Sequence, residues 1–318
     1  GLWTTAEDLA LFVVTLQNAL RGFSELMSQD MAWNMIYAVD SGYSLGLSVR
    51  DRGGSGYFGH GGWDEGFSAD MTASVDHGDG VVVMTNSNHP AFIKEVIRGI
   101  GFAYGWGGFD VQEKQDIPQD VLLNAPGRYR YDGATAINVY SEGDRLFMRY
   151  TGEKPEELFF VGKSQFLRRT RETPIRFTGA GDERTFNFVV SSDDQPPRNV
   201  LAADETLPGE VLEKGSFEEA VAAYRAALKA HPDEHALSED GINSSGVDKL
   251  VTNIEFAMAI LRINTLLYAD SANTWDSLGK AYRVAGQTDK AIESYRAALQ
   301  RDPDLYSARM ALKELAGK

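Results

Sequence analysis

Residues 275–282 have the sequence WDSLGKAY, which indicates the fold of the last third of this chain. Its tryptophan, leucine and tyrosine recur at helical spacing, and Gly279 leaves a gap on the same helix. A small residue at Ala291 and a helix-closing Pro303 follow downstream. Because large side chains of one helix can fill gaps left by glycine and alanine in the next, this order predicts stacked helical hairpins.

The same order of residues recurs upstream, which indicates a repeat. An earlier copy has Gly215, Ala220, Tyr224, Ala227 and Pro232, about two ~34-residue periods before the last copy. A degraded middle copy lies around residues 246–269. The complete set in the last copy resembles the tetratricopeptide repeat: Trp275, Leu278, Gly279, Tyr282, Gly286, Ala291, Tyr295, Ala298 and Pro303. We therefore expect an all-α, tetratricopeptide-like helical domain over residues 201–318.

The resemblance to the repeat family implies a binding groove. In that family one helix of each pair lines a concave surface, and the residues placed to face it here are Asn273, Asp276, Lys280 and Arg283. A peptide or another protein is the implied partner. An equally weighted alternative is that the repeats serve only as a packing or dimerisation element.

Residues 111–200 have the pattern of a small antiparallel β domain. Glycine-containing turns at residues 142–144, 162–164 and 179–182 separate runs rich in aromatic and β-branched residues, which predicts three hairpins. The aromatic side chains are expected to fill a barrel or sandwich. Arg168, Arg169 and Arg171 are interpreted as a solvated strand end, with a phosphate site as the alternative. The run at residues 193–197 is interpreted as a linker.

Residues 1–110 combine helices and short strands. Thr4 and Glu7 form a capping-box pattern before a helix that reaches Leu20. Strands are predicted at residues 43–49, 56–59 and 67–75, a buried strand at 81–85, and a helix at 90–103. This order indicates an antiparallel sheet with helices against one face.

The motif Gly59-His60-Gly61-Gly62-Trp63 lies between two of these strands. Alone, a histidine in a glycine-rich turn is typical of a structural or solvated residue. Together with GLWTTAEDL at residues 1–9, GFS at 66–68 and VVVMTNS at 81–87, however, it resembles the C-terminal half of the serine β-lactamase-like fold. The branch is that of class C β-lactamases, D-Ala-D-Ala carboxypeptidases and esterases, and the match covers about residues 1–105.

The resemblance implies a multidomain α+β protein. Its parts would be a partial β-lactamase-like α/β sheet domain at 1–110, a small antiparallel β barrel (lipocalin-like) or sandwich at 111–200, and the helical repeats. Both the β domain and the repeat tail resemble parts appended to some of these hydrolases.

The family's chemistry uses a Ser-x-x-Lys nucleophile, a Tyr-x-Asn or Ser-x-Asn element and a Lys/His-x-Gly strand, in that chain order. His60-Gly61-Gly62 matches the third motif, and the resemblance assigns half of the oxyanion hole to the backbone N–H of Trp63. Gly61 departs from the Thr or Ser of the penicillin-binding branch. That departure favours an esterase or a peptidase-like parent.

The first two motifs do not precede the third in this chain. Ser277 and Lys280 fit Ser-x-x-Lys, and Ser271-Ala272-Asn273 fits Ser-x-Asn, but both lie within the repeat and after the third motif. We therefore expect a C-terminal fragment of a β-lactamase-related serine hydrolase that is inactive alone, and its parent would be an esterase, a peptidase or a penicillin-binding-like protein. The alternative is a tetratricopeptide binding module with a non-catalytic β-lactamase-like remnant.

The chain begins with Gly1 and not with methionine, so a processed product or a fragment is expected. The missing N-terminal half or a second copy of the chain is then the expected partner of residues 1–110. A periplasmic or secreted location is implied by the resemblance.

Composition excludes several other functions. The 318 residues include 31 basic and 46 acidic ones, for a net charge of −15, which argues against binding nucleic acid. No cysteine is present, so disulfides, thiolate metal sites and a cysteine nucleophile are excluded. No apolar run approaches the ~18 residues of a membrane span. His77 and His89 show no metal-ligand spacing and Gly99-Ile100-Gly101 misses the dinucleotide pattern, so no metal or cofactor is expected.

Overall fold

A computed structural model describes residues 3–37, 42–64, 66–87, 90–169, 171, 173–189 and 197–316. The chain divides into two compact units, at residues 1–113 and 114–318. His89 and all but the last residue of the expected 193–197 linker lie outside the described residues.

Within its described residues, the first unit contains one antiparallel sheet and three helices. The strands are β1 (Ser48–Arg52), β2 (Ser55–Asp64), β3 (Phe67–Ser74) and β4 (Gly80–Thr85), hydrogen-bonded in that order. The helices are α1 (Ala6–Leu20), α2 (Gln29–Ile36) and α3 (Pro90–Ala103). The sequence predicts α1 and α3 with these bounds to within two residues. Helix α2 is missed because it has only eight residues.

Helices cover both faces of this sheet, so the expectation of helices on one face is wrong. Phe58 of β2 packs in a cluster with Val13 and Leu16 of α1. Its neighbour Tyr57 packs on the opposite side against Ile93 and Ile97 of α3. Because successive strand residues point to opposite faces, the two clusters lie on the two sides of one sheet.

Three local predictions in this unit need correction. Thr5, not Thr4, caps α1, and its hydroxyl accepts a hydrogen bond from the Asp8 N–H at 3.1 Å. The strand predicted at 43–49 begins only at Ser48, and Tyr43 forms a single bridge to that residue. Strand β4 is half-buried and not fully buried, since it is the last strand of the sheet.

The second unit begins with an antiparallel, nearly closed barrel. After α4 (Gln119–Asn124), the strands follow in chain order: β5 (Gly127–Arg130), β6 (Ala136–Glu142), β7 (Arg145–Tyr150), β8 (Glu156–Phe160), β9 (Phe166–Arg168), β10 (Ile175–Thr178), β11 (Thr185–Phe188) and β12 (Arg198–Asn199). The sheet curls until its ends meet: Tyr129 bridges Val200, and the Leu201 N–H donates to the Arg128 carbonyl at 2.6 Å. Of the predicted barrel and sandwich, the barrel is confirmed.

Seven helices follow: α5 (Pro208–Glu213), α6 (Phe217–Ala230), α7 (Glu239–Asp248), α8 (Ile254–Leu267), α9 (Ala272–Val284), α10 (Thr288–Arg301) and α11 (Tyr306–Ala316). They pack as the repeat pattern predicts. An added Cβ on Gly279 would lie 2.8 Å from the Tyr295 ring, and one on Gly246 would lie 2.6 Å from Leu261. The degraded middle copy therefore retains the close glycine contact between its two helices.

The barrel and the helices share contacts within the second unit. Gly152, in the turn after β7, lies against the Phe256 ring of α8. Arg149 of β7 pairs with Glu213 of α5, which also accepts the Gly152 N–H at 2.9 Å. The α5 segment is short, and its Gly209 lies against the Ala134 carbonyl of the barrel. None of the helices within the described residues is both long enough and apolar enough to cross a membrane.

Candidate functional site

The His60–Trp63 motif lies inside strand β2 and not in a turn. Strand β2 continues through it to Asp64, paired with β3 from Tyr57↔Ser74 to Asp64↔Phe67. Close packing requires a glycine at position 59, immediately before His60, because a Cβ there would lie 2.2 Å from the Met71 carbonyl oxygen. Gly61 and Gly62 are less confined, with their nearest neighbours 3.7 and 3.8 Å away.

Strand β2 extends past the start of β1. The first residue of β1, Ser48, pairs with Gly59, so the motif lies beyond the register of β1. The Gly59 carbonyl accepts from the Ser48 hydroxyl at 3.0 Å and therefore points toward β1, whereas the Gly56 carbonyl points toward β3. Backbone N–H and C=O groups point alternately to the two sides of a strand. Those of Gly61 and Trp63 therefore point to the same side as the Gly59 carbonyl, at a position that β1 does not reach.

The separate pieces of the sequence resemblance meet at this end of the sheet. Trp3 contacts Phe67 edge-on, with ring centroids 6.5 Å apart. Phe67 begins β3, opposite the end of the motif strand. The hydroxyl of the buried Ser68 donates to the Ser87 carbonyl at 2.8 Å. Residues from the first nine, from 66–68 and from 81–87 thus lie at the end of the sheet that carries Trp63.

Asp70 is a site residue that the sequence analysis missed. It pairs with Gly61 across β2 and β3, and its Oδ2 lies 3.7 Å from where a Gly61 side chain would begin. Burial is the main cause that raises the Asp70 pKa, opposed by a hydrogen bond from Thr72 and by the nearby charges of Arg50, Lys94 and His60. The position of Asp70 beside Gly61 follows from the pairing register of β2 and β3. The sequence alone does not give that register.

The four predicted groove residues lie along α9 and reach both neighbouring helices. Asn273 donates to the Glu239 carboxylate at the start of α7 at 3.2 Å. On the other side, Asp276 is hydrogen-bonded to Ser307 of α11, and Arg283 pairs with Glu314 at 3.1 Å. Lys280 is half-buried, and its charge lowers the Asp276 pKa, whereas burial, the larger effect, raises it. The structure therefore brings the four residues onto one face, where several already have intramolecular partners.

The two sequence look-alikes of catalytic motifs are engaged in the repeat packing. Ser277 is only 8% exposed within α9. Ser271 donates to the Glu239 carboxylate at 2.7 Å and precedes α9. Both serines follow His60–Trp63 in the chain, which is the reverse of the motif order in these hydrolases.

Comparison with known protein families agrees with these features. The family model described as β-lactamase matches residues 1–104. Residues 1–104 are therefore β-lactamase-like. The tetratricopeptide repeat model matches residues 272–305, so this part of the chain is a tetratricopeptide repeat.

A curated relative is penicillin-binding protein 4* of Bacillus subtilis (strain 168), which is 24% identical over 162 residues. The match covers 49% of this chain and 36% of the relative, so the chain spans about a third of that protein's length. About half of this chain is therefore similar to part of a penicillin-binding protein.

Two solved structures have partial similarity to this chain. An octameric penicillin-binding protein homologue from Pyrococcus abyssi is 18% identical, with a TM-score of 0.30, and 62% of this chain matches 47% of that one. The first tetratricopeptide domain of Spaghetti (RPAP3), bound to the HSP90 peptide SRMEEVD, is 16% identical with a TM-score of 0.25. That match covers 35% of this chain and 85% of the domain.

Proposed function

We propose that this chain is the C-terminal part of a β-lactamase-related serine hydrolase and that it does not hydrolyse substrates alone. Strand β2 would supply the third motif, with the Trp63 N–H as one oxyanion donor. The observation that carries this proposal is the position of His60–Trp63 past the start of β1, with the Gly61 and Trp63 backbone directed toward that edge.

The chemistry beside Gly61 bears on the substrate class. A hydroxyl-bearing residue at this position would help to bind a substrate carboxylate, and Gly61 lacks one. In its place, the Asp70 carboxyl lies beside the strand. Ionised Asp70 would repel a carboxylate-bearing substrate. The proposed parent enzyme therefore acts on esters or peptides without a carboxylate at this position, and not on penicillins.

Hydrolysis assays test this proposal. The 318 residues contain Ser-x-x-Lys once, at Ser277 and Lys280, where the serine is buried. A serine hydroxyl needs an adjacent base to become a nucleophile, and oxyanion donors alone do not provide one. We expect no hydrolysis of nitrocefin or p-nitrophenyl butyrate above the buffer rate. Turnover by the unsubstituted chain that Ser277→Ala removes would contradict the proposal.

Exposed apolar side chains on the first unit support the proposal that it binds a partner. Large apolar side chains are exposed there on the helices, the loops and the motif strand, among them Trp3, Phe23, Leu26, Trp33, Tyr37, Trp63, Phe67, Phe92, Phe102 and Tyr104. Exposed apolar side chains that lie together, as Trp3 and Phe67 do, mark an interaction site. We propose that the missing N-terminal half of the catalytic domain, or a second copy of the chain, covers it.

Light scattering and hydrogen exchange test this partner proposal. We expect the isolated chain to self-associate or to exchange amides rapidly in residues 3–113. A monodisperse monomer whose first unit is as well protected from exchange as its second would contradict it.

A second candidate function is peptide binding by the repeats. It is favoured by the common face that α9 forms with α7 and α11, which carries Asn273, Asp276, Lys280 and Arg283. The acidic peptide SRMEEVD is a suitable calorimetric probe. We expect binding that Lys280→Glu weakens and that Lys290→Glu, on the second helix of the hairpin, leaves unchanged. No binding, or equal binding by both variants, would count against the groove.

A further inference from the structure

A buried arginine lies at one end of the barrel, where the sequence predicts a solvated strand end. Arg168, the last residue of β9, is only 3% exposed. It pairs with Leu158, whose side chain is in the barrel core, so Arg168 points to the same inward face. Arg169 and Arg171 are exposed. The prediction of a solvated strand end is therefore wrong for Arg168.

Aromatic rings and a second guanidinium surround it. We call the arginine cluster the five side chains Arg168, Arg198, Tyr131, Tyr150 and Phe188. The Arg168 guanidinium lies 5.3 Å from the centre of the Phe188 ring. Arg198 lies 4.7 Å from the same ring and 5.0 Å from that of Tyr131, which in turn contacts Tyr150 edge-on. Both guanidinium groups therefore lie against the Phe188 ring.

The hydrogen-bonding capacity of Arg168 is mostly unused. Its Nη1 donates to the Tyr150 hydroxyl at 3.4 Å, a long bond. Its Nε is buried and has no hydrogen-bond partner. Within the described part of the chain Arg168 forms no ion pair. Burying an arginine without a carboxylate is costly, and such residues are almost always paired.

We propose that the arginine cluster binds an oxyanion, the carboxylate or phosphate group of a small ligand. The Arg168 Nε and Nη groups and the Tyr150 hydroxyl would donate hydrogen bonds to its oxygens, and the rings of Tyr131 and Phe188 would contact its apolar body. Tyr131 is 40% exposed, so the arginine cluster reaches the protein surface at this ring. This site lies in the barrel and does not depend on the serine-hydrolase proposal.

Nuclear magnetic resonance of the arginine side chains tests the site on the full chain. Titrate inorganic phosphate and, separately, benzoate at constant ionic strength in Tris chloride buffer. Follow the Arg168 Nε–Hε signal, assigned by its absence in Arg168→Lys. We expect a saturable shift with at least one anion, and the anion that binds more tightly distinguishes a phosphate from a carboxylate ligand. No saturable shift with either anion would overturn the proposal.

Substitutions provide the matched comparison. Arg168→Met should weaken binding roughly 10- to 100-fold, the loss expected for hydrogen bonds to a charged group. Arg145 also lies over a ring, that of Phe147, but on the solvent side and paired with Glu157. Arg145→Met should bind as the unsubstituted chain does. Equal binding by the Arg168→Met chain would overturn the proposal.

Thermal stability separates a ligand site from a purely structural arginine. Without an anion, an unpaired buried charge destabilises the barrel, so Arg168→Met should melt no lower than the unsubstituted chain in Tris chloride. It should also lose the stabilisation that the anion gives. A melting temperature several degrees lower would show that the rings alone hold Arg168 favourably and would contradict the proposal.

Discussion

Gly152 shows how much one residue contributes to the second unit. Its φ is +79°, in the left-handed region, and a Cβ there would lie 2.5 Å from the Phe256 ring. Gly152→Ala should lower the free energy of unfolding by about 2–5 kcal/mol, from backbone strain and overpacking together. Gly143 is the matched control, with φ +64° and no neighbour within 4 Å. Gly143→Ala should cost about 1–2 kcal/mol in the same urea titration. Equal losses of unfolding free energy in the two variants would show that the close approach of Phe256 to Gly152 does not contribute to the effect.

Asp132 carries a pH dependence of stability. Its Oδ1 accepts the Ala134 and Thr135 N–H groups, yet burial, the largest effect, raises its pKa above the ordinary 3.8. A raised carboxyl pKa favours folding while the group is protonated, and this contribution is lost as the pH rises through the folded-state pKa. Asp132→Asn keeps the acceptor oxygen without the charge.

The gain in stability of Asp132→Asn over the unsubstituted chain should therefore be larger at about pH 7 than at about pH 3.5. Urea midpoints at the two pH values measure it. A gain that is equal at both values, or larger in acid, would contradict the assigned direction of the shift.

At the residue scale, sequence reasoning succeeded where a side chain follows a repeating pattern. The glycine contact at Gly279 follows from the repeat. The burial of Arg168 does not, because a run of arginines after a short strand looks solvated until the curvature of the barrel turns one of them inward. Asp70 was missed for a related reason: its approach to Gly61 depends on the pairing of two strands.

At the scale of elements, strand β2 connects the fold to the candidate site. Gly59→Ala places a Cβ 2.2 Å from a backbone oxygen of β3, so the strands must separate. We expect a loss of about 1–3 kcal/mol or more and faster amide exchange in residues 55–74. Gly62→Ala meets its nearest neighbour, the Ala69 methyl, at 3.8 Å and should change stability by less than ~0.5 kcal/mol. The opposite ranking would show that the β2–β3 register is wrong.

Helices and hairpins with clear periodicity were predicted well, and elements shaped by neighbours were not. The apolar period and the proline at its start predict α3, and the glycine turns predict the barrel hairpins. Helix α4, in the part of the chain predicted to be all β, was missed because it has six residues, too few for a recognisable period. The covering of both sheet faces also escaped prediction, since β2 carries large apolar residues at adjacent positions and no simple alternation.

At the scale of the whole molecule, the contacts join the barrel to the repeats. The Arg128–Glu210 pair is bidentate, with bonds of 2.9 and 2.6 Å, and Asn253 donates to the Gly152 carbonyl at 2.9 Å. Residues 114–318 should therefore melt in one transition. Residues 201–318 alone should melt at a lower temperature, because Phe256 and α5 lose their barrel contacts. Calorimetry of the two fragments measures this, and equal melting temperatures would contradict the coupling.

The central claim is that the β-lactamase-like unit of this chain presents the third motif of a hydrolase site without its nucleophile. The most direct measurement is intact mass after incubation with a fluorescent penicillin and with a fluorophosphonate, beside an active serine hydrolase as control. We expect adducts on the control and an unchanged mass for this chain. A stoichiometric adduct on any serine of the 318-residue chain would contradict it.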